Sequence, residues 1–287
     1  MKNSMLVISD HEEQNYTAIL QAAELAKAYN CKLHIVNFCF ENLRGVTDIE
    51  EAQGTIVRNL HELNAHKLVN TLQGVVEYNF ETVWEKNIHI WVDNYVKEHK
   101  PYMIVKTGHR TEALFYTPTD WHILRECHAP ILIAADKKWH KARNVLATVD
   151  LETELPHKKQ LNEKVLKNAS IIAKQINAEL HVCYTVPFSP LLRKLGIINK
   201  DKLESEHKAE LQEKLILLAH SYGIKPDQIH IKAGQVDKVI TSVAANCKAS
   251  IVVVGTLGRV GLEQKLIGNT AESILTLLKT DVLAIPT

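Results

Sequence analysis

The sequence predicts an α/β protein made of two tandem domains, each with a five-stranded parallel sheet. Three observations predict it. Short β-branched runs alternate with longer amphipathic stretches along all 287 residues, the order of these elements repeats, and the wording repeats with it. At roughly 100–200 residues per domain, the length fits two domains.

In the first half, Met5 to Ser9 reads as a strand, and Asn15 to Tyr29 reads as a helix with Ala18, Ala22, Leu25 and Ala26 on one stripe. Leu33 to Phe38 is the second strand, Ile49 to Leu72 is mostly helical, and Val75 to Phe80 is the third strand. A helix over Ile88 to His99, a strand over Tyr102 to Lys106, a short helix over Pro118 to Arg125 and a strand over Ile131 to Ala135 follow.

The second half runs in the same order. Strand Val145 to Val149, helix Asn162 to Ile176, strand Leu180 to Thr185, helix Leu203 to Tyr222 and strand Gln228 to Lys232 come first. Helix Val236 to Ala245, strand Ser250 to Val254, helix Thr270 to Leu278 and strand Val282 to Ile285 complete it. Lys32-Leu33-His34-Ile35-Val36 corresponds to Glu179-Leu180-His181-Val182-Cys183, with His34 matched to His181. Met103 to Arg110 corresponds to Val252 to Arg259, and Pro130 to Ala134 corresponds to Asp281 to Ile285. The offset drifts by a few residues between matches, the mark of loop insertions in a duplicated domain. Asp136 to Arg143, polar and basic, reads as the linker, which gives domains 1–136 and 143–287.

Composition narrows the function classes. The 34 Lys and Arg against 33 Asp and Glu leave a charge of +1, so no global field would draw the chain onto nucleic acid, and no direct nucleic-acid binding is expected. The five cysteines are isolated and odd in number, which fits reduced thiols better than a disulfide framework. The N-terminus enters a strand without a basic region or a small-residue cleavage site, and no apolar run approaches the roughly 20 residues that span a bilayer. A cytoplasmic protein with no membrane insertion is expected.

Parallel sheets bind ligands at the carboxyl ends of strands, where the winding direction switches. There the second half has Gly255-Thr256-Leu257-Gly258, then nine residues, then Gly268-Asn269 opening the last helix. Glycines let backbone amides close on an anion, and a helix N-terminus adds unpaired N–H donors, so this reads as a phosphate cradle. A plainer reading makes the glycines chain turns and Asn269 an N-cap with Glu272 at the third helical position.

With this G-x2-G-x9-G spacing, carried in a doubled chain, the sequence resembles the universal stress proteins. Pro118-Thr119-Asp120-Trp121-His122 and Gly268-Asn269-Thr270-Ala271-Glu272 liken it to their tandem-domain members. The resemblance implies the adenine nucleotide alpha hydrolase-like fold and a stress-response role. It also implies a site for ATP or another adenine nucleotide in the second domain. By position, Asp150 ending strand one would lie near the nucleoside, Thr185 or Val186 near the base, and Val254, Gly255, Gly258, Gly268, Asn269 and Thr270 at phosphate and ribose. Arg259 and Lys265 are the nearest cations, and Asn269 stands where the family motif has Ser or Thr. Asp150 also suits a turn or an N-cap. In the first half, Lys106 and His109 replace the first two glycines and Thr117-Pro118 replaces Gly268-Asn269, so no nucleotide is expected there in the family manner.

A resident metal is not expected. The histidines of His61-Glu62-Leu63-Asn64-Ala65-His66 are five apart, about 140° around a helix, which puts them on different faces. His11, His109 and His122 are the candidates that could converge at the edge of the first sheet. The sequence lacks G-x-S-x-G, a Walker A loop and H-E-x-x-H, so no catalytic residues are assigned and an enzyme is not expected. In Val186 to Lys202, Ser189-Pro190 has the form of a helix start, with Leu191, Leu192 and Leu195 on one face. That segment reads as a patch on the core or on the other domain, or as a lid over a hydrophobic ligand. The expectation is a ligand-responsive stress factor binding a small molecule, whose two domains form an intramolecular pseudo-dimer; a homodimer of the chain is left open. The alternatives are a slow ATPase and a binding protein for an apolar or amphiphilic ligand.

Overall fold

The computed structural model describes residues 4–10, 16–108, 118–135, 144–256 and 269–287. The chain divides into two compact units, whose described parts are residues 4–135 and 144–287 without the gaps just given.

The first unit runs β1 (Ser4–Asp10), α1 (Thr17–Tyr29), β2 (Lys32–Cys39), α2 (Ile49–Leu72), β3 (Tyr78–Trp84), α3 (Ile88–His99), β4 (Met103–Thr107), α4 (Pro118–Glu126) and β5 (Ile131–Ala134). Its strands lie in the order β3-β2-β1-β4-β5, and the pairings are parallel. Helical crossovers on both faces explain why the central strands are apolar throughout: Met5, Leu6, Val7, Ile104 and Val105 are fully buried. The Asp48 carboxylate caps α2 by accepting the Glu51 N–H at 2.9 Å.

The second unit runs β6 (Asn144–Thr148), α5 (Pro156–Gln175), β7 (Leu180–Val186), α6 (Pro190–Lys194), α7 (Lys200–Glu210), α8 (Gln212–Tyr222), β8 (Ile229–Ala233), α9 (Val236–Asn246), β9 (Ala249–Thr256), α10 (Asn269–Leu277) and β10 (Asp281–Pro286). Its order, β10-β9-β6-β7-β8, is that of the first unit, again with parallel pairings. The repeat extends to single backbone conformations. Asn30 after α1 and Asn177 after α5 both take left-handed φ, at 50° and 53°, as do Lys100 and Lys248 at 46° and 52°. Each pair stops a helix at the same point of the repeat.

Several elements depart from the sequence reading. The third strand is Tyr78–Trp84 and not Val75 to Phe80, because Gly74 at φ +73° turns the chain and Val75 and Val76 serve the connection; pairing with β2 then runs from Tyr78 opposite Leu33 to Trp84 opposite Cys39. The helix read as Asn162 to Ile176 begins at Pro156, whose fixed φ suits a first helical turn. The single helix read as Leu203 to Tyr222 is two, parted at the buried Leu211, and the first is capped by Asn199, which accepts the Lys202 N–H at 3.0 Å. Gly255 lies within β9, opposite Ile285 of β10, and not after the strand. Among the described residues, no helix is long and apolar enough to cross a membrane.

Candidate functional site

In the second unit, the sheet's winding direction switches at β6, which lies between β7 and β9. A cleft of about 580 Å³ opens at the C-terminal ends of these three strands. Its floor is apolar, with Leu161 and Val165 from α5, Ile240 from α9, Val254 from β9 and Ile274 from α10. Its rim carries Asp150, Glu152, Lys158, Asn162 and Thr185. An apolar slot with a few convergent polar groups is the usual form of a small-molecule site.

Asp150 owes its place to Asn162. The Asn162 amide oxygen accepts the Asp150 N–H at 3.0 Å, and its amide nitrogen donates to the Asp150 carbonyl at 2.8 Å, so one side chain holds both backbone groups at the end of β6. The Asp150 carboxylate is half exposed beside the Lys158 ammonium at 3.4 Å. Glu152 accepts a short hydrogen bond from the Tyr184 hydroxyl of β7 and lies 2.6 Å from His207 Nδ1 of α7. Burial works against the Glu152 charge, but Tyr184 and His207 outweigh it and hold the carboxyl below the usual carboxylate range. Tyr184 is pushed the other way, first by burial and then by Glu152.

Thr185, at the end of β7, is buried, and its hydroxyl makes no hydrogen bond of normal geometry among the described residues, with the Cys183 thiol beside it as a weak polar neighbour. Leaving such a group unpaired costs about 1–3 kcal/mol. Next to it, burial pushes the Cys183 thiol up to about 12, so this cysteine faces the cleft as a neutral thiol and not as a nucleophile. The five cysteines are all free and buried.

Four of the sequence-derived positions therefore line one cleft: Asp150, Thr185, Val254 and Gly255. Gly258, Arg259, Lys265 and Gly268 lie outside the described residues, and Asn269 and Thr270 are described only as the backbone start of α10. Glu152, Tyr184, Lys158 and Asn162 were not found by sequence reasoning. Asn162 lay in a stretch read as the beginning of a helix, and the only signal for Glu152 was its place two residues beyond Asp150. In the first unit, the counterpart of Gly255 is Lys106, which is buried and donates to the Thr107 carbonyl at 3.1 Å.

Of the histidines considered for metal, His11 and His109 lie outside the described residues, and His122 stacks on His89 at 4.5 Å. Among the described residues, Glu152, His207 and Glu210 form a group whose donor atoms lie within 4.8 Å of one another. Two of the three are already joined by the 2.6 Å contact given above. In the Val186 to Lys202 segment, Leu191 and Leu195 are 61% and 63% exposed, so the segment does not patch the core with them.

The fold and this site define the class. Residues 1–135 and 142–286 both match the Universal stress protein family, and the chain belongs to it as a tandem-domain member. Its two-domain organisation is of the universal stress protein E type: it is 28% identical to universal stress protein E of Escherichia coli K12, over 99% of this chain and 94% of that one. It is also 25% identical to the universal stress protein E homolog of Haemophilus influenzae, over 99% and 97%. A crystal structure of a Pseudomonas aeruginosa UCBPP-PA14 chain assigned to the universal stress proteins superposes with a TM-score of 0.73 at 26% identity, covering 99% of this chain and 93% of that one.

Proposed function

We propose that the protein is a cytoplasmic, ligand-responsive stress-response factor whose second unit holds an adenine nucleotide, ATP foremost, without turning it over. The observation that carries this reading is the buried Thr185 hydroxyl, which makes no hydrogen bond of normal geometry, in the cleft that also gathers Asp150, Val254 and Gly255. A base edge or ribose hydroxyl placed there would supply the missing partner, and the apolar floor suits a purine ring. The half-exposed Asp150 carboxylate can accept from a ribose hydroxyl. Gly258, Gly268, Asn269 and Thr270 keep the phosphate and ribose role that the family resemblance implies for them, with Arg259 as a nearby cation. Membership of the family supports the stress-response role. We also infer that the two domains close on each other as an intramolecular pseudo-dimer.

Native mass spectrometry and calorimetry of the full chain with ATP test the nucleotide reading. One ATP per chain is expected, with binding lost in Gly258→Val, whose β-branched side chain would block backbone approach to phosphate. Thr185→Val should weaken ATP about fivefold to tenfold, equivalent to about 1 kcal/mol. ATP binding unchanged in both variants overturns the site. Steady phosphate release that disappears in Asp150→Ala would replace this reading with that of a slow ATPase.

A further inference from the structure

A second cleft, of about 700 Å³, lies in the second unit at the C-terminal end of β8 and along α9. Phe188 and Val239 give it apolar surface, and four lysines from four elements reach it: Lys194 of α6, Lys200 of α7, Lys232 of β8 and Lys238 of α9. Like charges gathered in a concavity repel one another and focus a positive potential on whatever enters.

The internal compensation for these charges is incomplete. Glu204 of α7 stands 3.6 Å from the Lys200 ammonium and 3.2 Å from that of Lys232, and it also accepts the Ala233 N–H at 2.9 Å. Burial works against this carboxylate, but the Ala233 amide and Lys232 outweigh it and keep it charged. Lys194 and Lys238 have no ion-pair partner among the described residues. The Asp237 carboxylate accepts the Lys238 backbone N–H at 2.9 Å. Even with Glu204 and Asp237 both set against the four lysines, a surplus of two positive charges remains.

Lysine binds phosphoryl oxygens as a mobile point charge, and a surplus of this size is matched by a diphosphate, which carries about two to three negative charges near neutral pH. The apolar wall asks for a non-polar body attached to that charge. We propose that this cleft binds a small organic diphosphate, with its phosphoryl groups among Lys194, Lys200, Lys232 and Lys238 and its apolar body against Phe188 and Val239. This site shares no lining residue with the Thr185 cleft, and the proposal does not rest on the nucleotide reading.

The test is calorimetry on the full chain with two probes, inorganic pyrophosphate and the same group carried on a short alkyl chain. Both should bind, the alkyl compound more tightly, and added salt should weaken both. The Lys194→Gln/Lys238→Gln double variant, changed at exposed positions, should lose roughly tenfold or more in affinity. Thr185→Val should leave these affinities unchanged while weakening ATP, which separates failure of this site from failure of the other. Absence of binding, an unchanged affinity in the double variant, or loss of diphosphate binding in Thr185→Val would each overturn the proposal.

Discussion

Leu161 of α5 packs against the backbone of Gly255 in β9, so closely that a Cβ at 255 would stand 2.6 Å from Leu161 Cδ2 and 2.8 Å from its Cγ. The first glycine of the motif is thus required by helix-on-sheet packing, whatever enters the cleft. Gly255→Ala should cost about 1–3 kcal/mol by overpacking, and Leu161→Ala about 2–5 kcal/mol by leaving a cavity. Because the two side chains compete for one space, the double variant should be more stable than the sum of the single losses by about 0.5 kcal/mol or more. Urea unfolding of the four proteins measures this, and strict additivity would contradict the contact.

Asn162→Ala removes both hydrogen bonds that fix the Asp150 backbone. A loss of about 1–3 kcal/mol in stability is expected, because the Asp150 N–H loses its partner and the Asp150 carbonyl keeps only the long 3.5 Å bond from the Thr153 N–H. Amide exchange should rise at Asp150 and Leu151 before the strand interior. Unchanged exchange there would mean that the turn is held by other contacts.

Glu152 gives a pH signature. Its folded pKa is depressed, so the stability it contributes is present above its unfolded value of about 4.3 and is lost as pH falls through the folded pKa. Glu152→Gln should cost about 1 kcal/mol at neutral pH, discounted for a partly exposed group, and the gap to the parent should close under acid conditions. A gap that persists below pH of about 3 would assign the loss to packing.

His181 and His230 act in a higher window. Their rings stack with His181 Nδ1 2.9 Å from His230 Nε2, and burial lowers both pKa values, with His181 lowering His230 further. The unfolded chain therefore takes up protons near pH of about 6.5 that the folded pair resists, so stability is full above that pH and declines as pH falls below it. His230→Gln should make the decline shallower in denaturant midpoints measured from pH 7 to 5. An equal slope in both proteins would place the pH dependence elsewhere.

The pseudo-dimer is tested by separating the chain. Within their own units, β5 and β10 each end the strand order, and a strand end left unpaired offers N–H and C=O groups to another strand. Residues 1–136 and 143–287, made separately, should self-associate alone and form a heterodimer when mixed. Two soluble monomers that ignore each other well above micromolar concentration would refute the model.

The order of strands and helices was legible because parallel sheets demand apolar runs, and the repeat supplied each assignment twice. Element ends were less legible. Pro156 and Asn199 begin their helices by local geometry that the apolar period does not register, and Val75 and Val76 have strand composition without a strand partner. At the site, Asp150, Thr185, Val254 and Gly255 were singled out by the family resemblance, which points to strand ends, and the four line one cleft. Glu152 and Asn162 were missed because their roles come from partners far along the chain: Glu152 answers Tyr184 and His207, and Asn162 reaches back to Asp150 from within a helix. The four converging lysines had no signature, since they come one each from four elements.

The buried Lys106, standing where the second unit has Gly255, also bears on the shape of the response that the proposed nucleotide site would give. Homotropic cooperativity needs like sites that bias one another. A duplicated chain whose copies had both kept the glycine would have had that option, with a steep threshold in the response. On the proposed nucleotide reading, lysine in one copy and glycine in the other leave a single chain with one such site, so its occupancy within that chain should rise hyperbolically, a dial that follows concentration and not a trigger that fires at one value.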